Sequence, residues 1–393
     1  MNLTEIQSAI SAAKLTGWLV YDFRGSNPIF AQFITGRRFT SRRAYLWIPA
    51  AGEPTLLMHP VDGVAFADVK FHKVQYGGWN EMQSMLRKML SGKVAMEYSP
   101  CCELPAVSYV DAGTVELIRS MNVTVVSSAD LISGTIAAYS PDAFKSHMRA
   151  GDVTAEAMRE AFNLIRKSLT EKKPITELDV QKNILDRFAR NGMETVDPPI
   201  VAVNGHGSDP HFSVSPTHPA PIHVGDWILI DLWVRVPGDH NVYSDITWVG
   251  YCGKTVPAEY QKAYDATLAA RDASMQCAVD AWKAGRSVHG WELDEAARGV
   301  FIKAGYEKNI RHRTGHSLSP GPKVHGLGMN LDNIETRDTR IMQPRTGFTI
   351  EPALYFSDGK YSFGVRSEIN VYVDPKAGPI VSSCMQEKIE LLG

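Results

Sequence analysis

Short apolar runs bounded by turn-forming residues recur along the first third of the chain. These runs are GWLVYDF (17–23), AYLWIPA (44–50), EPTLLMH (53–59), KVAMEYS (93–99) and VTVVSSA (123–129). Compact runs of this length that are rich in β-branched and aromatic residues predict short strands. With helical segments between them, they predict a small α/β domain over residues 1–138.

The hydrophobic pattern changes to a helical one near Ser140. Ser140 followed by Pro141 is a helix start signal, with serine as the N-cap and proline at the first helical position, and the helix is predicted to run to about Thr170. A capping box begins at Thr176, and Asn191-Gly192 supplies the stop of a second helix.

Beyond Ile200 strand patterns dominate, interrupted by predicted helices from about Pro257 to Gly285 and from about Glu292 to Gly305. Helices combined with an antiparallel sheet are an α+β layout. The sequence therefore predicts a second, α+β domain over residues 139–393.

Two acidic residues are placed together by a predicted hairpin. The runs WILIDLW and SDITWVGY are joined by the turn PGDHN. If the hairpin folds about Asp239, Asp231 faces Thr247, and Asp245 becomes a diagonal neighbour of Asp231 on the same face of the sheet. A buried aspartate in such an apolar run needs hydrogen bonds or a cation.

A second predicted hairpin pairs two more acids. The runs FTIEPALYF and SFGVRSEINVYV flank a turn around Asp358-Gly359-Lys360, which makes Glu351 and Glu368 direct partners. Like charges that face each other repel unless a cation lies between them or they share a proton. Because this occurs twice in one domain, the pattern favours a metal site.

The loop RHRTGHSLSPGPKVHG lies between these hairpins and contains His312, His316 and His325. Imidazole is a common metal ligand, so the loop can bring a histidine over the paired carboxylates. If one of the three positions a substrate, not all of them are ligands.

Length and charge narrow the classes of function. A chain of 393 residues is longer than one hydrophobic core usually supports, and its net charge of −2 gives no field that attracts nucleic acid. We also find no apolar run of the ~20 residues that span a bilayer. We therefore predict a cytoplasmic protein that binds neither nucleic acid nor membranes.

The acids and the histidine occur in the order of a known family. The motifs are Asp231, Asp245-Ile246-Thr247, Thr314-Gly315-His316, Glu351-Pro352 and Arg366-Ser367-Glu368. This order resembles the pita-bread metallopeptidases, which include Xaa-Pro dipeptidase, aminopeptidase P and methionine aminopeptidase. The resemblance implies a C-terminal pita-bread fold, a curved antiparallel sheet flanked by helices, preceded by a smaller creatinase-like α/β domain, as in the Xaa-Pro-specific members.

The resemblance also implies a cofactor and residue roles. Two divalent metal ions, Mn²⁺ before Zn²⁺, Co²⁺ or Fe²⁺, would be held by Asp231, Asp245, His316, Glu351 and Glu368 around a bridging hydroxide, with Glu351 as the general base. Further catalytic or substrate-binding positions in this sequence are His211, His325, Tyr355 and Arg366. A homodimer is implied as well.

The leading functional hypothesis is hydrolysis of an N-terminal Xaa-Pro peptide bond in a small peptide with proline at its second position. Departures from the family pattern leave alternatives open: Ser317 follows the motif histidine where glycine is usual, and Trp233 replaces a small residue. One alternative is a same-fold hydrolase or lyase that cleaves a C–N bond of a small non-peptide molecule, as creatinase or ectoine hydrolase does. Another is a non-catalytic pita-bread binding module.

Overall fold

The computed structural model describes residues 2–34, 36, 38–357 and 362–393. Two compact units divide the chain, Met1–Ile136 and Ala137–Gly393. The predicted boundary, between residues 138 and 139, lies two residues beyond the observed one.

The first unit is an α/β unit built on a six-stranded sheet with the order β4-β3-β2-β1-β5-β6. Its strands are β1 Gly17–Phe23, β2 Arg43–Pro49, β3 Thr55–Met58, β4 His72–Gln75, β5 Lys93–Met96 and β6 Thr124–Ser127, and its helices are α1 Leu3–Ala12, α2 Pro28–Phe33, α3 Trp79–Met89, α4 Ala112–Arg119 and α5 Ala129–Leu131. The five predicted strands are confirmed. The sequence pattern does not predict β4, because HKVQ has a single apolar residue and a mostly exposed surface.

Four long helices in the second unit confirm the predicted start and stop signals. They are α6 Pro141–Thr170, α7 Glu177–Arg190, α8 Ala258–Lys283 and α9 Gly290–Lys303. The Ser140 hydroxyl accepts a hydrogen bond from the Ala143 amide at the start of α6, and Thr176 forms a capping box with Asp179 at the start of α7. Helix α9 begins two residues before its predicted start.

The strands of the second unit form three sheets. Their bounds are β7 Ile200–Val203, β8 Trp227–Val234, β9 Ser244–Tyr251, β10 Ser317–Leu318, β11 Gly347–Ile350, β12 Ala353–Phe356, β13 Phe363–Arg366, β14 Ile369–Asp374, β15 Gly378–Val381 and β16 Glu390–Leu391. The sheet orders are β16-β9-β8-β7, β10-β11-β14-β15 and β12-β13. All pairings in these sheets are antiparallel except the short pairing of β16 with β9.

The first hairpin has the predicted register, because Asp231 pairs with Thr247 and Trp233 pairs with Asp245. The second has the predicted register at both ends, where Ile350 pairs with Ile369 and Ala353 pairs with Arg366. Its predicted turn at 358–360 lies outside the described residues. What the pattern did not predict is a break in the ladder at the two glutamates between these pairs.

The largest apolar core of the second unit packs α6 and α7 against one face of the β7-β8-β9 sheet. Phe162, Ile184, Ile230 and Ile246 are buried there. The opposite positions of β8 and β9 are therefore free to carry polar side chains toward the other sheets. Among the described residues, no helix combines the length and the apolar character needed to cross a bilayer.

Candidate active site

Asp231 on β8 and Asp245 on β9 lie side by side on the face of the sheet turned away from α6 and α7. Both are nearly fully buried. The Asn370 side chain on β14 fixes the backbone of Asp245: its carbonyl oxygen accepts from the Asp245 amide at 3.1 Å, and its amide nitrogen donates to the Asp245 carbonyl. The carboxylate of Asp245 is thereby aimed by a neighbouring strand as well as by its own.

Glu351 and Glu368 occupy the break between the two halves of the second hairpin. Instead of pairing with each other, their amides donate to other segments, Glu351 to the Thr314 carbonyl at 2.7 Å and Glu368 to the Thr247 carbonyl at 3.4 Å. This exchange of partners draws the first hairpin and the His316 loop onto the second hairpin. Four buried carboxylates meet as a result.

His316 immediately precedes β10 and faces these carboxylates. Its Nδ1 lies 3.1 Å from the Ser317 carbonyl, an acceptor, so the proton resides on Nδ1 in the neutral ring and Nε2 carries the lone pair. Nε2 lies 3.4 Å from both Asp245 Oδ2 and Glu351 Oε1. The nitrogen that could bind a cation is the one directed at the acids.

One guanidinium enters the cluster. Arg366 forms an ion pair with Asp231, lies 3.6 Å from Glu351 Oε2, and donates through Nε to the Thr247 hydroxyl at 2.8 Å. The Thr247 hydroxyl lies 3.0 Å from Asp231 Oδ1 and 2.7 Å from Glu368 Oε2. Since this hydroxyl has a single proton, it satisfies only one of the two acids at a time.

The pKa values of the buried acids are shifted in different directions. Burial, reinforced by the charge of Asp245, raises the pKa of Glu368 well above its usual range, and burial likewise raises the pKa of Asp231 to about 7. Burial opposes ionisation of Glu351 too, but the charges of His316 and Arg366 outweigh it and lower its pKa to about 2. The acids cannot all ionise without added positive charge.

The donor set fits divalent cations. Asp245, His316 and Glu368 each offer a ligand atom, and these atoms lie within 4.8 Å of one another. Asp245 Oδ1 and Glu368 Oε1 are buried and have no hydrogen-bond partner within the described part of the chain. Buried acceptors without a donor are costly, and an oxygen-rich site with one imidazole suits Mn²⁺, Fe²⁺, Co²⁺ or Zn²⁺.

All members of the cluster except Glu368 line a pocket of about 850 Å³. Of the residues predicted from the sequence, the pocket is lined by Asp231, Asp245, His316, Glu351, Arg366, His211, His312 and His325. His325 lies beside the ligand-type histidine, with its ring centroid 4.1 Å from that of His316. Residues of the wall that the sequence did not indicate include Phe212, Arg313 and Asp332.

Tyr355 is buried behind the wall and reaches the pocket through His312. His312 Nδ1 lies 2.6 Å from the Arg313 carbonyl and must donate to it, so Nε2 accepts from the Tyr355 hydroxyl at 2.7 Å. Burial lowers the pKa of His312, which keeps this ring neutral. Tyr355 therefore orients a pocket histidine.

The sequence missed two residues that position the site. Asn370 lies on β14 two positions after Glu368, so its period-two spacing from a predicted ligand could have indicated it. Asp294 on α9 is fully buried and accepts from the Thr314 amide at 2.8 Å and the Asn333 amide at 3.1 Å. No feature of the local sequence predicts that role.

Known proteins are similar to this chain in sequence and in fold. The YkvY protein of Bacillus subtilis is 30% identical over 203 residues, which are 51% of this chain and 50% of the relative. The Xaa-Pro dipeptidase of Lactobacillus helveticus is 26% identical over 215 residues, 55% of this chain and 52% of the relative. The chain thus spans about half the length of the curated relatives it matches.

The crystal structure of the dipeptidase PepE from Mycobacterium ulcerans superposes with a TM-score of 0.67 at 21% identity, covering 99% of this chain and 96% of that one. The fold is that of the pita-bread class. The profile of metallopeptidase family M24 matches residues 145–375, and the chain belongs to that family. Manganese, a homodimer and a cytoplasmic location stay predictions.

Proposed function

We propose that this protein hydrolyses the peptide bond between an N-terminal residue and proline, in dipeptides or short peptides, with two divalent metal ions. The observation that carries the proposal is the buried cluster of four carboxylates and one imidazole. Two of its carboxylate oxygens have no hydrogen-bond partner among the described residues, and all of its members except Glu368 line a pocket. The choice of proline is supported by relatives such as the Xaa-Pro dipeptidase of Lactobacillus helveticus.

The residues assigned to the ions are Asp231, Asp245, His316, Glu351 and Glu368. Two divalent cations would balance the four carboxylates, polarise the scissile carbonyl and lower the pKa of a water molecule. We favour Mn²⁺, because oxygen ligands outnumber the single imidazole, and Zn²⁺, Co²⁺ and Fe²⁺ are the alternatives.

Glu351 is assigned the proton transfers. Hydrolysis removes one proton from water and delivers one to the departing proline nitrogen, so a single carboxylate that accepts and then donates completes the reaction. Glu351 suits this role because its carboxylate lines the pocket, 3.4 Å from His316 Nε2 and 3.6 Å from the Arg366 guanidinium. The Thr349 hydroxyl, 3.1 Å from Glu351 Oε1, holds the carboxylate in place.

The remaining predicted residues are assigned to the substrate. His211 and His325 line the pocket above the cluster, where they can contact the peptide backbone. The Tyr355 hydroxyl fixes His312, and Arg366 pairs with Asp231, so both hold groups that line the pocket. These groups select and orient the peptide.

The test is a comparison of Ala-Pro, Met-Pro, Gly-Pro-Ala and Ala-Ala as substrates for chelated protein and for protein reloaded with Mn²⁺. We expect metal-dependent release of proline from the two Xaa-Pro dipeptides and no cleavage of Ala-Ala. Cleavage of Gly-Pro-Ala separates an aminopeptidase from a dipeptidase. Inactivity on every peptide, in protein with bound metal, would contradict the proposal and favour C–N hydrolysis or lysis of a small non-peptide molecule.

A further inference from the structure

The pocket segment, residues 204–220, forms one wall of the candidate active site without a regular structure to support it. It holds the pocket-lining residues His211 and Phe212 and contains only one short 3₁₀ turn, Asn204–Ser208. Loops of this kind are mobile unless side chains tie them down. Contacts with residues outside the segment therefore contribute to its position.

Glu177, the first residue of α7, ties both ends of the pocket segment. Its Oε1 accepts from the Val203 amide and from His206 Nδ1, each at 2.8 Å, and its Oε2 accepts from the Ala220 amide at 3.1 Å. Its own amide donates to the Ala220 carbonyl at 3.0 Å. One fully buried residue thus holds the residue before the segment, the segment's start and its end.

His206 connects Glu177 to a residue that lines the pocket. The His206 ring stacks on Phe212 with centroids 4.4 Å apart and an angle of 23° between the planes. Phe212 lines the pocket directly beside His211. A displacement of His206 would therefore move the aromatic wall next to the substrate.

A capping role does not explain Glu177. The start of α7 is already capped by Asp179, whose Oδ2 accepts from the Thr176 amide at 2.9 Å and from the Thr176 hydroxyl at 2.7 Å. Burying a carboxylate is costly unless donors surround it, and all three donors to the Glu177 carboxylate lie in or next to the pocket segment.

We propose that Glu177 is a positioning residue that acts through His206 on the pocket segment and so sets the affinity of the active site for its substrate. The kinetic part of this inference rests on the proposed Xaa-Pro hydrolysis. Because Glu177 touches neither the metal cluster nor the reacting atoms, its loss should weaken substrate binding and spare the chemical step.

The experiment compares Glu177→Gln, His206→Phe and their double variant with the control Asp179→Asn, all as full-length, Mn²⁺-loaded protein. Glu177→Gln turns an amide group toward one of the three donors and so loses a hydrogen bond. His206→Phe keeps an aromatic ring to stack on Phe212 but removes the hydrogen bond to Glu177. The control weakens the start of the same helix but leaves the pocket segment tied.

We expect Glu177→Gln and His206→Phe each to raise KM for Ala-Pro about tenfold, with kcat changed less than about twofold. The double variant should raise KM by less than the product of the two single effects, since both changes act on the position of the same pocket segment. Asp179→Asn should lower the thermal stability about as much as Glu177→Gln does, but it should leave KM unchanged. An unchanged KM in both single variants, or an equal rise in the control, overturns the proposal.

Hydrogen exchange makes the test independent of the activity. In Glu177→Gln, exchange should accelerate in peptides covering 204–220 and stay unchanged in peptides covering α6. If wild-type protein cleaves no Xaa-Pro peptide, the proposed function fails alone. The positioning role is then decided by exchange: acceleration confined to the pocket segment supports it, and unchanged exchange overturns it.

Discussion

At the level of single residues, the proposed mechanism depends most on Glu351. We expect Glu351→Gln to lower kcat by about 10²–10⁴-fold, because the amide cannot accept a proton from water. Its fold should persist, since the amide oxygen can still accept from the Thr349 hydroxyl. The matched control is Glu335→Gln, which changes an exposed acid of the same pocket. Steady-state kinetics and circular dichroism check both, and a Glu351→Gln variant with wild-type kcat would contradict the assigned base.

Glu97 in the first unit gives a prediction about pH. Burial raises the pKa of Glu97 from 4.5 to about 7, although Trp18 Nε1 and Asn27 Nδ2 donate to it at 2.6 and 2.7 Å. Because the folded pKa lies above the unfolded one, the folded state binds the proton more tightly. Its contribution to stability is complete below pH 4.5 and is lost as pH rises through 7.

The expected loss between pH 4.5 and 7 is about 3 kcal/mol of unfolding free energy, from the gap between the two pKa values. Glu97→Gln cannot titrate and should lack this component. Urea unfolding of both proteins across that pH range measures the difference. Parallel pH profiles for wild type and variant would show that Glu97 does not titrate in this way.

At the scale of elements, alternation and turn position were sufficient to predict which residues face each other. The pairings of Asp231 with Thr247 and of Ile350 with Ile369 follow from period-two alternation about a turn. The exchange of partners at Glu351 and Glu368 could not be predicted, because it depends on amides that bond to segments distant in sequence. For the same reason, the links of Asp294 and Glu177 to loops were invisible in the sequence.

Strand β14 carries a prediction at this scale. Asn370→Ala removes the side chain that holds the Asp245 backbone on the neighbouring strand. Loss of a residue that orients a ligand typically weakens metal binding by about 10–100-fold, and we expect that range here. The control is Asn241→Ala. The Asn241 side chain donates to the Pro237 carbonyl, away from the cluster. Metal titration by calorimetry distinguishes them, and equal affinities in the two variants would refute the role of Asn370.

At the scale of the whole molecule, the proposed metal ligands all lie in the unit Ala137–Gly393. A ligand that binds only the folded state stabilises the part of the chain that binds it. Chelation should therefore lower the unfolding temperature of this unit and leave the exchange rates of amides in β1 and β5 of the first unit unchanged. Calorimetry with hydrogen exchange tests this, and a uniform loss of protection in both units would contradict it.

The proposed function requires that the four acids and His316 bind two divalent ions. The most direct measurement is a titration of chelated protein with Mn²⁺, recording bound metal per chain and Ala-Pro hydrolysis together, in wild type and in Asp245→Asn. We predict that wild-type activity reaches its plateau at two bound ions per chain and that Asp245→Asn binds fewer ions and loses activity. Full activity in metal-free protein, or an unchanged titration in Asp245→Asn, would contradict the account.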